Sequence, residues 1–221
     1  MAKQPIAGRT KTRLVPPFNS QQSADFFEAL MLDTIELARR IPNVDLTIAF
    51  SPSSALEYFN QTRFPQTELL PVDGSNIGDC LLETAKMMIA KNHTRIVLMN
   101  SDGPSLPPEY ILQAYTLLEK NDLVLGPSED GGYYLCGFKK LFPQLFQGIA
   151  WSSARVLAQT LERAQSLDLK VALTPSWYDI DTAADARRLF RDSLSIPIDH
   201  LIHTRTFFQR IPDPERRLLW D

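Results

Sequence analysis

Several residue types that mark common protein classes are scarce in this sequence of 221 residues. It has two cysteines, Cys80 and Cys136, whose positions match no metal-binding or redox motif, which predicts a reduced, cytoplasmic setting. Three histidines are present, but His200-x-x-His203 has no Cys or Glu partner at zinc-site spacing, which favours surface histidines. No apolar run approaches the ~18–20 residues of a membrane helix, so no membrane span is predicted.

The sequence also lacks a large net charge and several catalytic motifs. The net charge is −3, which gives no broad attraction to nucleic acid or to an anionic membrane, so no nucleic-acid partner is predicted. The sequence contains no G-x-S-x-G, which argues against an α/β-hydrolase. It contains neither a G-x-G-x-x-G after a strand nor a G-x-x-x-x-G-K-[ST], so neither NAD binding nor a P-loop is supported.

Strand-like and helix-like segments alternate along most of the chain. The predicted strands cover residues 45–51, 67–72, 95–100, 122–126, 131–138 and 170–175. The main predicted helices cover residues 23–40, 76–91, 107–120, 152–167 and 182–194, with Ser23 as the N-cap of the first. This alternation predicts an α/β fold, a three-layer α/β/α sandwich around a mostly parallel sheet. Ligands of such sheets bind beyond the carboxyl ends of the strands.

Asp102 follows the predicted strand at 95–100 in the stretch RIVLMNSDGPSL. That strand is apolar enough to be buried on both faces, which is typical of a central parallel strand. A carboxylate just beyond it is placed to hold a metal or a ligand hydroxyl. The alternative is that Asp102 only caps its own turn, as aspartate often does.

The start of the chain, AKQPIAGRTKTRL, is basic. Gly8 lets a backbone approach a ligand, and Lys3, Arg9, Lys11 and Arg13 are four cations that can bind phosphate oxygens. A solvated basic terminus without a ligand is the alternative.

Asp130, Gly131 and Gly132 lie between two predicted strands. A double glycine leaves room for a ligand against the backbone. An ordinary Asp-Gly hairpin turn is the alternative for this stretch.

Asp179 and Asp181 are two residues apart after the last predicted strand, so on an extended segment both carboxylates point the same way. Such a pair suits Mg²⁺ or Mn²⁺, which keeps waters and bridges substrate phosphates. The alternative is a helix N-terminus capped by Thr182, where acidic residues are favoured by the helix dipole.

Five stretches, in this order, resemble motifs of the bacterial DUF2064 family: Lys3-x-Pro5-x-x-Gly8-x-x-Lys11-Thr12-Arg13-Leu14, Ser101-Asp102-x-Pro104-x-Leu106-Pro107, Asp130-Gly131-Gly132-Tyr133-Tyr134-Leu135-x-Gly137, FQGIAWSSARVLAQT and Asp179-x-Asp181-Thr182-x-x-Asp185. The resemblance covers about residues 2–190. That family, associated by name with arsenosugar biosynthesis, belongs to the GT-A superfamily of nucleotide-diphospho-sugar transferases. The superfamily also includes guanylyl- and cytidylyltransferases.

The resemblance implies a metal-dependent transferase with a nucleotide-sugar donor and a small-molecule acceptor. Alternatives are a nucleotidyltransferase that uses an NTP and releases pyrophosphate, and a non-catalytic nucleotide-binding domain. The implied cofactor is Mg²⁺ or Mn²⁺. The implied site residues are Asp102 and Asp130 for catalysis, Lys3, Gly8, Lys11 and Arg13 for phosphates, Gly131 and Gly132 for the acceptor or sugar pocket, and Asp102, Asp179 and Asp181 for the metal.

The chain departs from the family pattern in two places. Such folds open with an apolar strand before the basic loop, whereas this chain begins inside that loop, so the first strand is expected to be missing. Asp102 also lacks the second aspartate of a D-x-D pair. Residues 1–194 are predicted to form the transferase domain and residues 195–221 a tail. In that tail, Leu218, Leu219 and Trp220 either cover an apolar groove, on this subunit or in a homodimer, or are disordered.

Overall fold

In a computed structural model of the chain, residues 1–61, 64–65 and 67–211 are described. The strands of this part are β1 Thr47–Phe50, β2 Glu68–Pro71, β3 Ile96–Met99, β4 Leu123–Pro127, β5 Tyr133–Phe138 and β6 Val171–Leu173. The α-helices are α1 Ser20–Arg39, α2 Leu56–Gln61, α3 Ile77–Ala90, α4 Pro108–Leu117, α5 Val156–Ser166, α6 Ala183–Ser193 and α7 Ile202–Arg210. Within the described ranges, no helix has the length and apolar character needed to cross a bilayer.

The elements group into two units. The first unit comprises residues 1–3, 44–100 and 107–178, and contains all the strands named above together with α2 to α5. The second comprises residues 4–43, 101–106 and 179–211, and contains α1, α6 and α7.

The strands of the first unit form two sheets. β1 pairs with β2 in parallel, and the other four strands lie in the order β3-β5-β4-β6. β5 is antiparallel to both of its neighbours, whereas β4 and β6 are parallel. Three strands of the larger sheet therefore share one direction and β5 alone is reversed, so the predicted α/β class with a mostly parallel sheet is confirmed. Leu123, Val124 and Leu125 of β4 are fully buried.

The first two residues lie between the two sheets. The Ala2 amide donates to the Ala49 carbonyl at 2.7 Å, and the Ser51 amide donates to the Ala2 carbonyl at 3.1 Å. The Met1 amine donates to the Met99 carbonyl at 2.6 Å. Ala2 forms one parallel β-bridge with Phe50. In the described part of the chain no longer strand precedes β1.

The core of the second unit is aromatic. Phe26 of α1 stacks on Phe207 of α7 with ring centroids 4.9 Å apart, and Phe18 meets both rings edge-on. α7 lies inside the segment that the sequence predicted as a tail. The predicted groove-covering residues Leu218, Leu219 and Trp220 lie outside the described residues.

The predicted N-cap of α1 is wrong. The helix begins at Ser20, and Asn19 caps it by accepting a hydrogen bond from the Gln22 amide while the Gln22 side chain accepts one from the Asn19 amide. This reciprocal pair satisfies two amide groups at the helix start. Ser23 is therefore inside the helix, where it is fully buried.

Candidate functional site

Lys11 lies in a loop whose backbone is held by hydrogen bonds. The residue is in the left-handed region, with φ 48° and ψ 45°, which is uncommon for a residue other than glycine. The Ser23 hydroxyl donates to the Lys11 carbonyl at 2.6 Å and to the Thr10 carbonyl at 3.1 Å. The Thr10 hydroxyl in turn accepts from the Ile6 amide at 2.9 Å. The two bonds from Ser23 attach the basic loop to α1, and the Ile6–Thr10 bond closes the loop on itself.

The Lys11 ammonium joins two carboxylates that are distant in sequence. Its Nζ atom donates to Asp102 Oδ2 at 2.6 Å and to Asp181 Oδ1 at 2.6 Å. The Lys11 side chain is 7% exposed, and its ammonium lies 6.0 Å from the centre of the Phe27 ring. Three residues that the sequence predicted as site residues are thus in direct contact.

The electrostatic setting keeps Lys11 charged. Burial, the largest single effect, lowers the pKa of the amine. The charges of Asp102 and Asp181 and their hydrogen bonds together outweigh burial, so the pKa lies above its ordinary value. Lys11 is therefore a fixed positive charge in the physiological pH range.

Asp102 lies on the short loop Ser101–Leu106. A single residue, Asn100, separates this loop from the end of β3. The Oδ2 atom of Asp102 accepts from Lys11, whereas its Oδ1 atom is buried and has no hydrogen-bond partner among the described residues. A buried carboxylate oxygen without a partner is rare in native proteins, so this atom is a candidate contact for a cation. The Asp102 carboxylate is therefore directed at Lys11 and not at the amides of its own turn.

Asp181 immediately precedes the N-cap of α6. The predicted cap is confirmed: Thr182 caps the helix, and the Asp185 carboxylate accepts from the amides of Thr182 at 2.7 Å and of Asp181 at 3.1 Å. The Asp181 carboxylate itself contacts Lys11 and lies 3.7 Å from the guanidinium of Arg13. Asp181 is 40% exposed and Arg13 73% exposed, so this edge of the site is open to solvent.

The carboxylate pair fits a hard divalent cation. The described residues contain no group of three or more His, Cys, Asp or Glu side chains arranged to hold a metal. Mg²⁺ commonly uses only one or two protein carboxylates and takes its other ligands from water and substrate phosphates. Asp102 and Asp181 supply such a pair, and within the described ranges Asp102 Oδ1 has no partner. That Asp102, Asp179 and Asp181 hold a metal stays a prediction.

Asp130, Gly131 and Gly132 form the turn between β4 and β5 in the first unit. The Gly132 amide donates to Asp130 Oδ1 at 2.9 Å, which is an aspartate turn. Gly131 has φ +90°, and a Cβ there would collide with the Ala154 carbonyl. These contacts explain the glycines structurally, and their roles at an acceptor or sugar pocket, like that of Asp130 in catalysis, stay predictions.

The two remaining predicted residues of the phosphate loop are exposed. Lys3 belongs to the first unit, and Gly8 belongs to the second with Lys11. Gly8 has φ +75° and open space around the position of a Cβ, so its backbone conformation rather than close packing favours glycine. Both roles in phosphate binding stay predictions.

Sequence reasoning missed the residues that position Lys11, namely Thr10, Ser23 and Phe27. One signal was available, because Ser23 is a polar residue at a buried register of α1, beside Ala24 and Phe26. A buried hydroxyl requires a partner, and here the partners are backbone carbonyls of the basic loop.

Three comparisons place the chain among known proteins. The model of a family described as "Uncharacterized protein conserved in bacteria (DUF2064)" matches residues 34–153, which is more than half of the chain. No curated protein sequence matches the chain. A solved structure from Desulfovibrio desulfuricans G20, whose proposed identity is a nucleotide-diphospho-sugar transferase, is similar at 29% identity and a TM-score of 0.89. The similarity covers 99% of this chain and 95% of that one.

Two more distant structures show the fold alone. A 4-diphosphocytidyl-2C-methyl-D-erythritol synthase is 13% identical with a TM-score of 0.56, over 74% of this chain and 87% of its own. Rv0371C of Mycobacterium tuberculosis H37Rv, solved as a complex with manganese, is 19% identical with a TM-score of 0.51, over 84% of this chain and 94% of its own. The predicted fold of the nucleotide-diphospho-sugar transferases is therefore confirmed.

Proposed function

Because the chain belongs to the DUF2064 family, we propose that it is a transferase acting on a nucleotide-activated substrate, with a nucleotide sugar as donor and a small molecule as acceptor. The observation that carries the proposal is the Lys11 ammonium held between Asp102 and Asp181, beside an oxygen of Asp102 that has no partner among the described residues. In such a group the two carboxylates can bind a divalent ion, and the buried cation can bind a diphosphate.

The residues divide the work by charge. Asp102 and Asp181 would hold Mg²⁺ or Mn²⁺, with Asp179 as a candidate third carboxylate. When bound, such an ion neutralises charge that develops on the leaving diphosphate. Lys11 supplies a compact positive charge for a phosphate oxygen, and the exposed guanidinium of Arg13 can bind two oxygens at once. Positioning and charge neutralisation of this kind require little covalent chemistry from the protein.

Two observations bear on the type of transfer. The structure similar over nearly the whole chain carries a name that implies a nucleotide-sugar donor, which supports glycosyl transfer as the first candidate. Asp102 stands without a second aspartate of a D-x-D pair, and a 4-diphosphocytidyl-2C-methyl-D-erythritol synthase shares the fold. These features support nucleotidyl transfer from an NTP as the second candidate.

A donor screen tests the proposal. Hydrolysis of UDP- or GDP-sugars in the presence of Mn²⁺ supports the first candidate, and pyrophosphate release from an NTP supports the second. Binding without turnover would leave a non-catalytic nucleotide-binding domain and contradict the proposed enzyme.

Nucleotide binding by Asp102→Asn, with and without Mn²⁺, should be measured by titration calorimetry. We expect this variant to lose Mn²⁺-dependent nucleotide binding. Asp25→Asn is the matched control, because Asp25 is an exposed carboxylate on α1 that contacts Gln21. Unchanged metal-dependent affinity in Asp102→Asn would return Asp102 to a structural role.

A further inference from the structure

We infer that Lys11 is an internal cation that competes with the divalent ion for Asp102 and Asp181, so that the ion binds tightly only when a diphosphate draws the Lys11 ammonium away. This inference rests on the function proposed above and concerns how binding at that site is regulated.

The first support is the place that the ammonium occupies. Lys11 Nζ contacts one oxygen of each carboxylate at 2.6 Å, which is where the two acidic groups converge. An ammonium offers three donors and no further coordination, and Asp102 Oδ1 is buried without a partner in the part of the chain that the structure describes. A divalent ion with six or more ligand positions can engage oxygens that the ammonium cannot.

The second support is the balance of charge. Lys11 and Arg13 carry two positive charges, and Asp102 and Asp181 carry two negative ones, so the four contacting groups are neutral together. A divalent ion added while Lys11 stays in place creates an uncompensated positive charge. A diphosphate compensates that charge and offers Lys11 new oxygen partners. Binding of the ion should therefore favour binding of the diphosphate, and the converse must hold to the same extent.

The third support is the division of Lys11 into a fixed backbone and a flexible side chain. The Lys11 carbonyl is bonded to the buried Ser23 hydroxyl. The ammonium sits at the end of four rotatable methylene groups. The amine can therefore exchange carboxylate for phosphate partners without movement of the loop.

The test measures Mn²⁺ alone, by electron paramagnetic resonance of the free ion, on the full chain without nucleotide. Lys11→Met should bind Mn²⁺ about tenfold tighter than the unchanged protein, which corresponds to one unit of log affinity. Addition of UDP or GDP should increase the Mn²⁺ affinity of the unchanged protein and increase that of Lys11→Met much less.

Arg13→Met is the matched control for net charge. It removes one positive charge at 3.7 Å from Asp181, but this charge does not bridge the two carboxylates. Its Mn²⁺ affinity should stay near that of the unchanged protein. An equal gain in Arg13→Met and Lys11→Met would mean general electrostatic attraction and would overturn the inference.

Lys11→Gln is a second variant, because removal of the bridging cation exposes two carboxylates to mutual repulsion. If either variant is unfolded without metal, recovery of a cooperative melting transition on addition of Mn²⁺ supports the inference, and failure to recover contradicts it. Folded variants that bind Mn²⁺ no tighter than the unchanged protein overturn the inference while leaving the proposed function intact. Failure of the unchanged protein to bind any nucleotide overturns the proposed function instead.

Discussion

The hydroxyl of Ser23 is hydrogen-bonded to the backbone carbonyl of Lys11 at 2.6 Å, and this bond attaches the ammonium-bearing loop to α1. Ser23 is fully buried, so water cannot replace the hydroxyl after its removal. We expect Ser23→Ala to cost about 1–3 kcal/mol of unfolding free energy, the range for leaving a buried acceptor without its partner. Mn²⁺-dependent nucleotide binding should also weaken, because the backbone that aims Lys11 is released. Urea denaturation and calorimetry measure the two effects.

Thr34→Val is the control for this variant. The Thr34 hydroxyl is also buried in α1, but it donates to the Leu30 carbonyl within the same helix. Its removal should lower stability without changing nucleotide affinity. Equal losses of affinity in both variants would show that Ser23 acts only through the stability of α1.

A substitution at Gly131 distinguishes a steric requirement for glycine from a role beside a ligand. Alanine in the left-handed region costs about 1–2 kcal/mol, and we expect this loss for Gly8→Ala, where the added Cβ meets open space. At Gly131 the Cβ collides with the Ala154 carbonyl, so Gly131→Ala should cost about 1–3 kcal/mol more, as overpacking does. Thermal melts compare the two. A Gly131→Ala variant as stable as Gly8→Ala would contradict the structural explanation and favour a ligand beside the glycine.

The docking of α7 onto α1 depends on a buried carboxylate. Asp33 of α1 accepts hydrogen bonds from the amides of His203 at 3.0 Å and Thr204 at 2.7 Å, and so caps α7 from a distant part of the chain. Burial raises the pKa of Asp33, and this effect outweighs the hydrogen bonds and the nearby charge of His203, which lower it. Between the unfolded pKa of about 3.9 and the folded pKa, the folded chain therefore binds more protons than the unfolded one.

The sign of the pH effect follows from this difference. The contribution of Asp33 to stability is fully present below pH about 3.9 and is lost as the pH rises through the folded pKa. The unfolding free energy of the unchanged protein minus that of Asp33→Asn should thus be larger at pH 4 than at pH 7. Urea denaturation at both values measures it. A difference that is constant, or larger at pH 7, would show that the capping bonds outweigh burial.

Local patterns predicted most elements of the fold because each carries its signal in adjacent residues. The strand β3 and the Thr182 and Asp185 capping pair are of this kind. The expectation that β3 is a central parallel strand buried on both faces is wrong, because β3 is at the end of the order β3-β5-β4-β6, pairs with the antiparallel β5, and alternates buried with half-buried residues. The reversed direction of β5 was not predictable, because an apolar run has no direction. α7 was also missed, because its capping residue is Asp33, far away in sequence, and no side chain at Leu201 caps it.

The candidate site was predicted in part for the same reason. Asp102 and Asp181 each follow a strand-like segment, so their residue types and positions indicated a ligand or metal site. That one lysine bridges them could not be predicted, since the pairing joins three segments of the chain through side chains. Chain position favoured Asp181 over Asp179, because Asp181 is nearer the start of the following helix, and the contacts of Asp181 with Lys11 and Arg13 agree with that order.

Replacing Asp179 and Asp181 separately tests the metal site most directly. Asp181→Asn removes a charged ligand from the pair that faces Lys11, and its amide oxygen can still accept from the ammonium. We expect little change in the melting temperature and a large loss of the rise that Mn²⁺ induces. Asp179→Asn should show the same effect more weakly. Melting curves with and without Mn²⁺ measure both.

Thr182→Ala is the stability control for this pair, because Thr182 caps α6 directly beside Asp181. Loss of a helix N-cap costs about 0.5–2 kcal/mol, so this variant should melt early while keeping the full Mn²⁺-induced rise. If Asp179→Asn and Asp181→Asn instead behave like Thr182→Ala, both residues serve the start of α6 and neither holds a metal. A loss of the Mn²⁺ response confined to Asp181→Asn would limit the site to the two carboxylates that share Lys11.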